Sequence, residues 1–75
     1  MYIVSFGNDR DGWKEIGRGN NWSKIVIDYI SSKGGTSYYS RQWLDDGVLF
    51  IDYGSWTYYF RVDKELEDMT LADIA

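Results

Sequence analysis

Large rings and arginines recur in the second half of the sequence, at positions that a strand would place on one face. Trp43, Phe50 and Tyr59 carry the rings, and Arg41 and Arg61 flank them. Such rings stack on other rings or on planar cations, and Tyr, Trp and Arg are enriched where protein interfaces concentrate their binding energy. The predicted partner-binding residues are Tyr39, Arg41, Trp43, Phe50, Asp52, Tyr59 and Arg61.

Carboxylates form a second group that can bind a partner, through charge. The candidate acidic contacts are Asp45, Asp46, Glu65, Glu67 and Asp68. They can present phosphate-like charge to the basic groove of a nucleic-acid-acting enzyme, and electrostatic attraction would then speed association. The alternative is an acidic surface that is solvated and prevents aggregation.

Few residues of this chain are suited to catalysis or to metal binding. It has no His and no Cys, which removes the commonest general base, the thiol nucleophile and the usual zinc ligands. The adjacent carboxylates Asp45 and Asp46 point apart at a turn. The stretch GNDRDGW, residues 7–13, lacks the first acid and the final Glu of a calcium loop of the EF-hand type. The sequence therefore predicts a protein that is not an enzyme and that uses no cofactor and no metal.

Composition and charge narrow the class of protein further. The chain has 75 residues, of which 44% are hydrophobic and 19% aromatic, and this favours a single small domain with a ring-rich core. Its formal net charge is −4, which disfavours general nucleic-acid binding because phosphates are repelled at long range. No apolar run approaches the length of a membrane span, so no membrane association is expected and a cytoplasmic location is the default.

The first half of the chain predicts strands followed by a helix. Residues 2–6 are typical of a strand, and residues 13–17 favour a second strand over a loop. Asn20 or Asn21 can cap the helix that follows. Its apolar positions recur at helical spacing and form one stripe, made of Trp22, Ile25, Val26, Tyr29 and Ile30.

Two turn signals divide the second half into three antiparallel strands. Asp46-Gly47 is typical of a type I′ turn and Gly54-Ser55 of a type II′ turn. The first turn pairs Trp43 with Phe50, and the second pairs Phe50 with Tyr59. Because side chains alternate between faces, the core face receives Leu44, Leu49, Ile51, Tyr53, Trp56, Tyr58, Phe60 and Val62. The other face receives Tyr39, Arg41, Trp43, Val48, Phe50, Asp52, Thr57, Tyr59 and Arg61.

The predicted fold class is α+β. Three C-terminal strands form an antiparallel meander, one or two N-terminal strands join it, and one helix packs on one face. Residues 1–75 form a single domain, in which the acidic segment 63–75 either packs back or stays partly flexible. Thr70 and Asp73 resemble a helix-capping pair, and Leu66, Met69 and Ile74 are the side chains able to pack back.

These features favour a small protein-binding module that docks on a larger protein, which includes nucleic-acid-acting enzymes. Its size and acidity are typical of regulatory or inhibitory proteins, such as phage-encoded inhibitors of host enzymes or defence complexes. Two alternatives stay open. The aromatic and arginine residues are also suited to stacking with single-stranded nucleic acid, and the same surface would serve to build a homodimer.

Overall fold

The fold is a five-stranded antiparallel sheet with one helix on it. The computed structural model describes residues 1–34, 41–53 and 57–74. Over these ranges the strands are β1 (Tyr2–Asn8), β2 (Gly12–Gly19), β3 (Arg41–Asp45), β4 (Val48–Asp52) and β5 (Tyr59–Lys64), and the helix α1 is Trp22–Ser32. The strand order is β2-β1-β5-β4-β3, so the N-terminal hairpin lies beside β5. The predicted α+β class is confirmed, with two N-terminal strands.

Helix α1 begins and packs as its sequence pattern predicts. The Asn21 side chain accepts a hydrogen bond from the backbone N–H of Lys24 at 3.2 Å, which satisfies one of the free donors of the first turn. Val26 and Ile30 are buried in the core, whereas Ile27, which lies off the apolar stripe, is 44% exposed. The stripe therefore sets which side of the helix meets the sheet.

The turn between β3 and β4 has the predicted register. Arg41 pairs with Asp52 and Trp43 with Phe50, as a two-residue turn requires. Asp46 and Gly47 have φ values of +53° and +77°, and positive φ at both central residues defines a type I′ turn. The Asp-Gly pair thus determines the pairing of this hairpin.

The predicted register between β4 and β5 is wrong by two residues. Phe50 pairs with Arg61, whereas a two-residue turn would have paired it with Tyr59. The predicted turn residues Gly54 and Ser55 lie outside the described residues. Because side chains alternate with a period of two, a shift of two residues changes the partners and leaves each residue on its predicted face.

The placement of Tyr58 in the core is also corrected. Tyr58 is 37% exposed, and its ring contacts Phe6 at a centroid distance of 5.5 Å. Its hydroxyl donates to the Asp11 carboxylate at 3.1 Å. The observed register gives the buried positions to the apolar side chains of β5 and leaves this polar hydroxyl near solvent. Trp56, predicted on the same face, lies outside the described residues.

The core lies between the sheet and α1 and includes the C-terminal segment. Fully burying an aliphatic or aromatic side chain contributes about 1.5–3 kcal/mol relative to leaving it exposed. The buried apolar side chains are Val4, Val26, Ile30, Leu49, Ile51, Phe60, Val62 and Met69.

The segment after β5 crosses the β3–β4 turn on the same side of the sheet as α1. Met69 is buried, and its backbone N–H donates to the Gly47 carbonyl at 2.9 Å. A Cβ at Gly47 would lie 2.5 Å from Cγ of Asp68, so the close approach also requires glycine there. Ile74 packs against the core, but Leu66 is fully exposed, contrary to the prediction that it could pack back.

Asp73 attaches this segment to the body of the protein. Its carboxylate accepts hydrogen bonds from the Tyr2 hydroxyl at 2.8 Å and the Thr70 backbone N–H at 2.8 Å, and it pairs with Lys64 Nζ at 2.9 Å. Its carbonyl accepts from the Trp22 indole at 3.1 Å. The bond from Lys64, with those from Thr70 and Tyr2, holds the pKa of the Asp73 carboxyl far below its usual range.

We expect stability to depend on pH through Asp73. Because its pKa is lowered on folding, the ionised carboxylate stabilises the protein above its unfolded pKa of about 3.9, and this contribution is lost as the pH falls further. The substitution Asp73→Asn should lower the melting temperature at neutral pH. The gap between wild type and variant should narrow as the pH is lowered from about 5 towards about 2.

Circular dichroism melts across this pH range measure the effect. Asp28→Asn is the matched control, because Asp28 pairs with Lys24 on the exposed side of α1 with 63% of its side chain accessible. Melting curves of wild type and Asp73→Asn that keep a constant separation at every pH would contradict this role for Asp73.

Candidate functional site

The sheet face opposite α1 gathers most of the predicted contact residues. We name it the aromatic face and define it by its ring and arginine side chains. They are Trp13, Arg41, Trp43, Phe50, Tyr59 and Arg61. Tyr39, also predicted as a contact, lies outside the described residues.

The rings of the aromatic face touch one another. Trp43 stacks on Phe50 with centroids 5.8 Å apart and planes inclined by 21°. It meets Tyr59 edge to face at 6.0 Å and 81°. Pairs of this kind contribute about 0.5–1.5 kcal/mol beyond the area that they bury. The contacts hold the rings against one another. Each ring remains partly exposed, so solvent can still reach this surface.

Trp13 is the ring of this face that the sequence did not predict. Its indole lies 6.0 Å from the Phe50 ring, although Trp13 is on β2 and Phe50 on β4, three strand positions away. Adjacent strands are about 4.8 Å apart, so the two rings must lean towards each other across β1 and β5. Without the pairing of the N-terminal hairpin with β5, no local pattern connects Trp13 to this surface.

Gly7 provides the space between these rings. It pairs with Trp13 on one side and with Tyr59 on the other, so a residue without a side chain separates two aromatic residues in one row of the sheet. Gly7 has φ +152°, and a Cβ there would lie 2.1 Å from the Gly12 carbonyl oxygen. The glycine is thus required by the hairpin itself, and it also leaves a depression in the face.

That depression is an open pocket of about 260 Å³. The indole N–H of Trp13 donates to the Asp9 carboxylate at 3.1 Å, which positions the ring at the edge of the pocket. The Asn8 side chain donates to the Thr57 carbonyl at 2.7 Å and accepts from the Asp11 backbone N–H. The lining residues are Asn8, Asp9, Trp13, Trp43, Asp45, Phe50 and Tyr59.

Both arginines of the face have acidic neighbours. Arg41 lies over the Trp43 ring at 4.9 Å and pairs with Asp52 at 3.5 Å. Arg61 lies 5.8 Å from the Trp13 ring centroid and pairs with Asp63 at 3.1 Å. The Arg41 side chain is 67% exposed, so its ion pair contributes about 0–1 kcal/mol. The main effect of these pairs is to neutralise the two cations beside the rings.

The predicted acidic contacts do not form one cluster. Asp45 and Asp46 lie at the β3–β4 turn, and Asp68 approaches the same turn at Gly47. Glu65 instead pairs with Arg18 at 3.3 Å, and Glu67 pairs with Lys64 at 3.2 Å. Within the part of the chain that the structure describes, the predicted acidic contacts that form no ion pair therefore lie at the turn.

Metal binding and membrane spanning can be assessed for the described ranges. They contain no group of three or more carboxylates placed to hold a metal ion. Their helix is too short and too polar to cross a bilayer.

No protein-family model, curated protein or solved structure matches this chain.

We expect Gly7→Ala to be more damaging than Gly12→Ala. Both glycines have positive φ, but a Cβ at Gly12 would meet nothing within 4 Å. Gly12→Ala should therefore cost only the backbone strain of about 1–2 kcal/mol. Gly7→Ala should cost about 1–3 kcal/mol more, because its methyl group must displace the β2 backbone. Urea unfolding of the two variants measures the difference, and equal losses would show that the close contact at Gly7 does not constrain the hairpin.

Proposed function

We propose that the protein is a non-enzymatic module that binds a larger protein through the aromatic face. The observation that carries the proposal is the set of four rings in mutual contact on the sheet face opposite the helix. Soluble domains seldom expose contiguous apolar surface without a use for it. Tyr, Trp and Arg are also the residue types that dominate binding hot spots.

The rigidity of the face supports binding rather than internal packing. The rings of Trp43, Phe50 and Tyr59 stand on paired strands and hold one another in place. A surface ordered before association loses little conformational entropy when a partner covers it. The C-terminal segment packs on the opposite side of the sheet through Met69.

The charges of the face favour a basic protein over a nucleic acid. Stacking of bases on rings requires nearby cations for the phosphates, but Arg41 and Arg61 each pair with an aspartate of the same face. Asp45 and Asp46 at the adjacent turn would attract a positively charged partner. Enzymes that act on nucleic acids have a positively charged surface of this kind. The proposal therefore includes a regulatory or inhibitory role in the cytoplasm, as phage-type inhibitors have.

Two neighbouring tyrosines give a matched test. Tyr59 lies in the aromatic face, whereas Tyr58 contacts Phe6 on the helix side. We expect Tyr59→Ala to weaken capture of the partner from source cells by about 30-fold or more, the effect of losing a hot spot of about 2 kcal/mol. Tyr58→Ala should retain capture. Circular dichroism verifies that both variants fold, and quantitative affinity capture measures the difference.

Equal capture by the two variants would overturn the proposal. Light scattering separates it from self-association, because the binding module should have the mass of a monomer at high concentration. A dimer that Tyr59→Ala dissociates would instead assign the aromatic face to a second copy of this chain.

A further inference from the structure

The lining of the pocket in the aromatic face combines aromatic rings with carboxylates. Four of its seven lining residues are aromatic, namely Trp13, Trp43, Phe50 and Tyr59. Two more, Asp9 and Asp45, are carboxylates, and among the described residues no cationic side chain lines the pocket. The ring faces are electron-rich and attract cations, and the carboxylates add negative charge at the same opening.

We propose that this pocket receives a cationic side chain, Arg or Lys, from the partner protein. The proposal rests on the function proposed above and names the group that the aromatic face recognises. The volume of about 260 Å³ lies below the range usual for sites of whole small-molecule ligands and suits one inserted side chain. A guanidinium or ammonium group would contact the rings, and its charge would face the two aspartates.

The geometry of the chain's own arginines supports this choice of ligand. Arg41 already lies over the Trp43 ring at 4.9 Å, with its charge balanced by Asp52. Arg61 makes the equivalent pair of contacts with Trp13 and Asp63. The rings of this face therefore contact guanidinium groups in the isolated protein, each beside a carboxylate.

The carboxylates of the pocket retain capacity for another cation. Asp9 uses one oxygen to accept the Trp13 indole N–H at 3.1 Å. Within the described residues, Asp45 forms neither a side-chain hydrogen bond nor an ion pair. A phosphate would meet these two charges unfavourably, and a purely apolar side chain would offer Asp45 no hydrogen-bond or ion-pair partner.

The test uses a short peptide and its neutral isostere. Acetyl-Gly-Arg-Gly-amide is titrated into the labelled protein at low salt, and the indole N–H signals of Trp13 and Trp43 are followed by NMR. The same peptide with citrulline in place of arginine keeps the shape and removes the charge. We expect the arginine peptide to shift both indole signals and the citrulline peptide to bind about tenfold more weakly.

Two aspartates on opposite faces of the sheet provide the variant and its control. Asp45→Asn should weaken binding of the arginine peptide by about fivefold. Asp28→Asn should have no effect, because Asp28 pairs with Lys24 on the exposed side of α1, on the opposite face of the sheet. Added salt should weaken the binding of the arginine peptide.

Each result decides between the pocket and other uses of the face. Equal binding of the two peptides, or no shift with either, would overturn the cation pocket. If Tyr59→Ala still abolished capture in that case, the aromatic face would remain the docking surface and only the ligand would be wrong. Indole shifts with a single-stranded oligonucleotide and none with the arginine peptide would overturn it in favour of nucleic acid.

Discussion

The five-stranded sheet has two faces, and helix α1 and the C-terminal segment both pack on one of them. Helix α1 covers the sheet with Val26 and Ile30, and the C-terminal segment completes the cover with Met69. The Asp73 carboxylate secures that segment, because it joins Lys64 at the end of β5 to Tyr2 at the start of β1. These two described elements lie on one side, and the rings of the other side pack against one another. The aromatic face therefore lies on the side of the sheet opposite α1 and the C-terminal segment.

Local patterns predicted the parts of the fold that depend on neighbouring residues. The apolar stripe of α1 and the Asp46-Gly47 turn each depend on a few adjacent positions, and both were confirmed. The β4–β5 register was wrong because a local turn signal does not decide which residues of the two strands meet. In the structure Ile51 pairs with Phe60 instead of Tyr58, so two buried apolar side chains lie opposite each other. The assignment of faces survived that error because the register shifted by an even number of residues.

The candidate site could be predicted only in part, for a similar reason. Trp43, Phe50, Tyr59 and the two arginines follow from alternation along three consecutive strands. Trp13 joins them only because β1 pairs with β5, which brings a strand from the start of the chain beside a strand from its end. The depression at Gly7 also depends on the pairing of β1 with β5, which places Gly7 beside Tyr59. The pocket therefore arises from the tertiary fold, which brings Asp9 and Trp13 of the N-terminal hairpin beside lining residues of β3, β4 and β5.

Oxidative footprinting of the protein in complex with its partner identifies the face of the sheet that the partner covers. Hydroxyl radicals label exposed rings, and mass spectrometry compares the rate at each ring in the free and bound protein. The aromatic face as a binding surface predicts that Trp13, Trp43 and Tyr59 become protected in the complex. Tyr58 and Trp22, on the helix side, should be labelled at unchanged rates. Protection of Tyr58 or Trp22 with unchanged labelling of Trp13, Trp43 and Tyr59 would contradict the account.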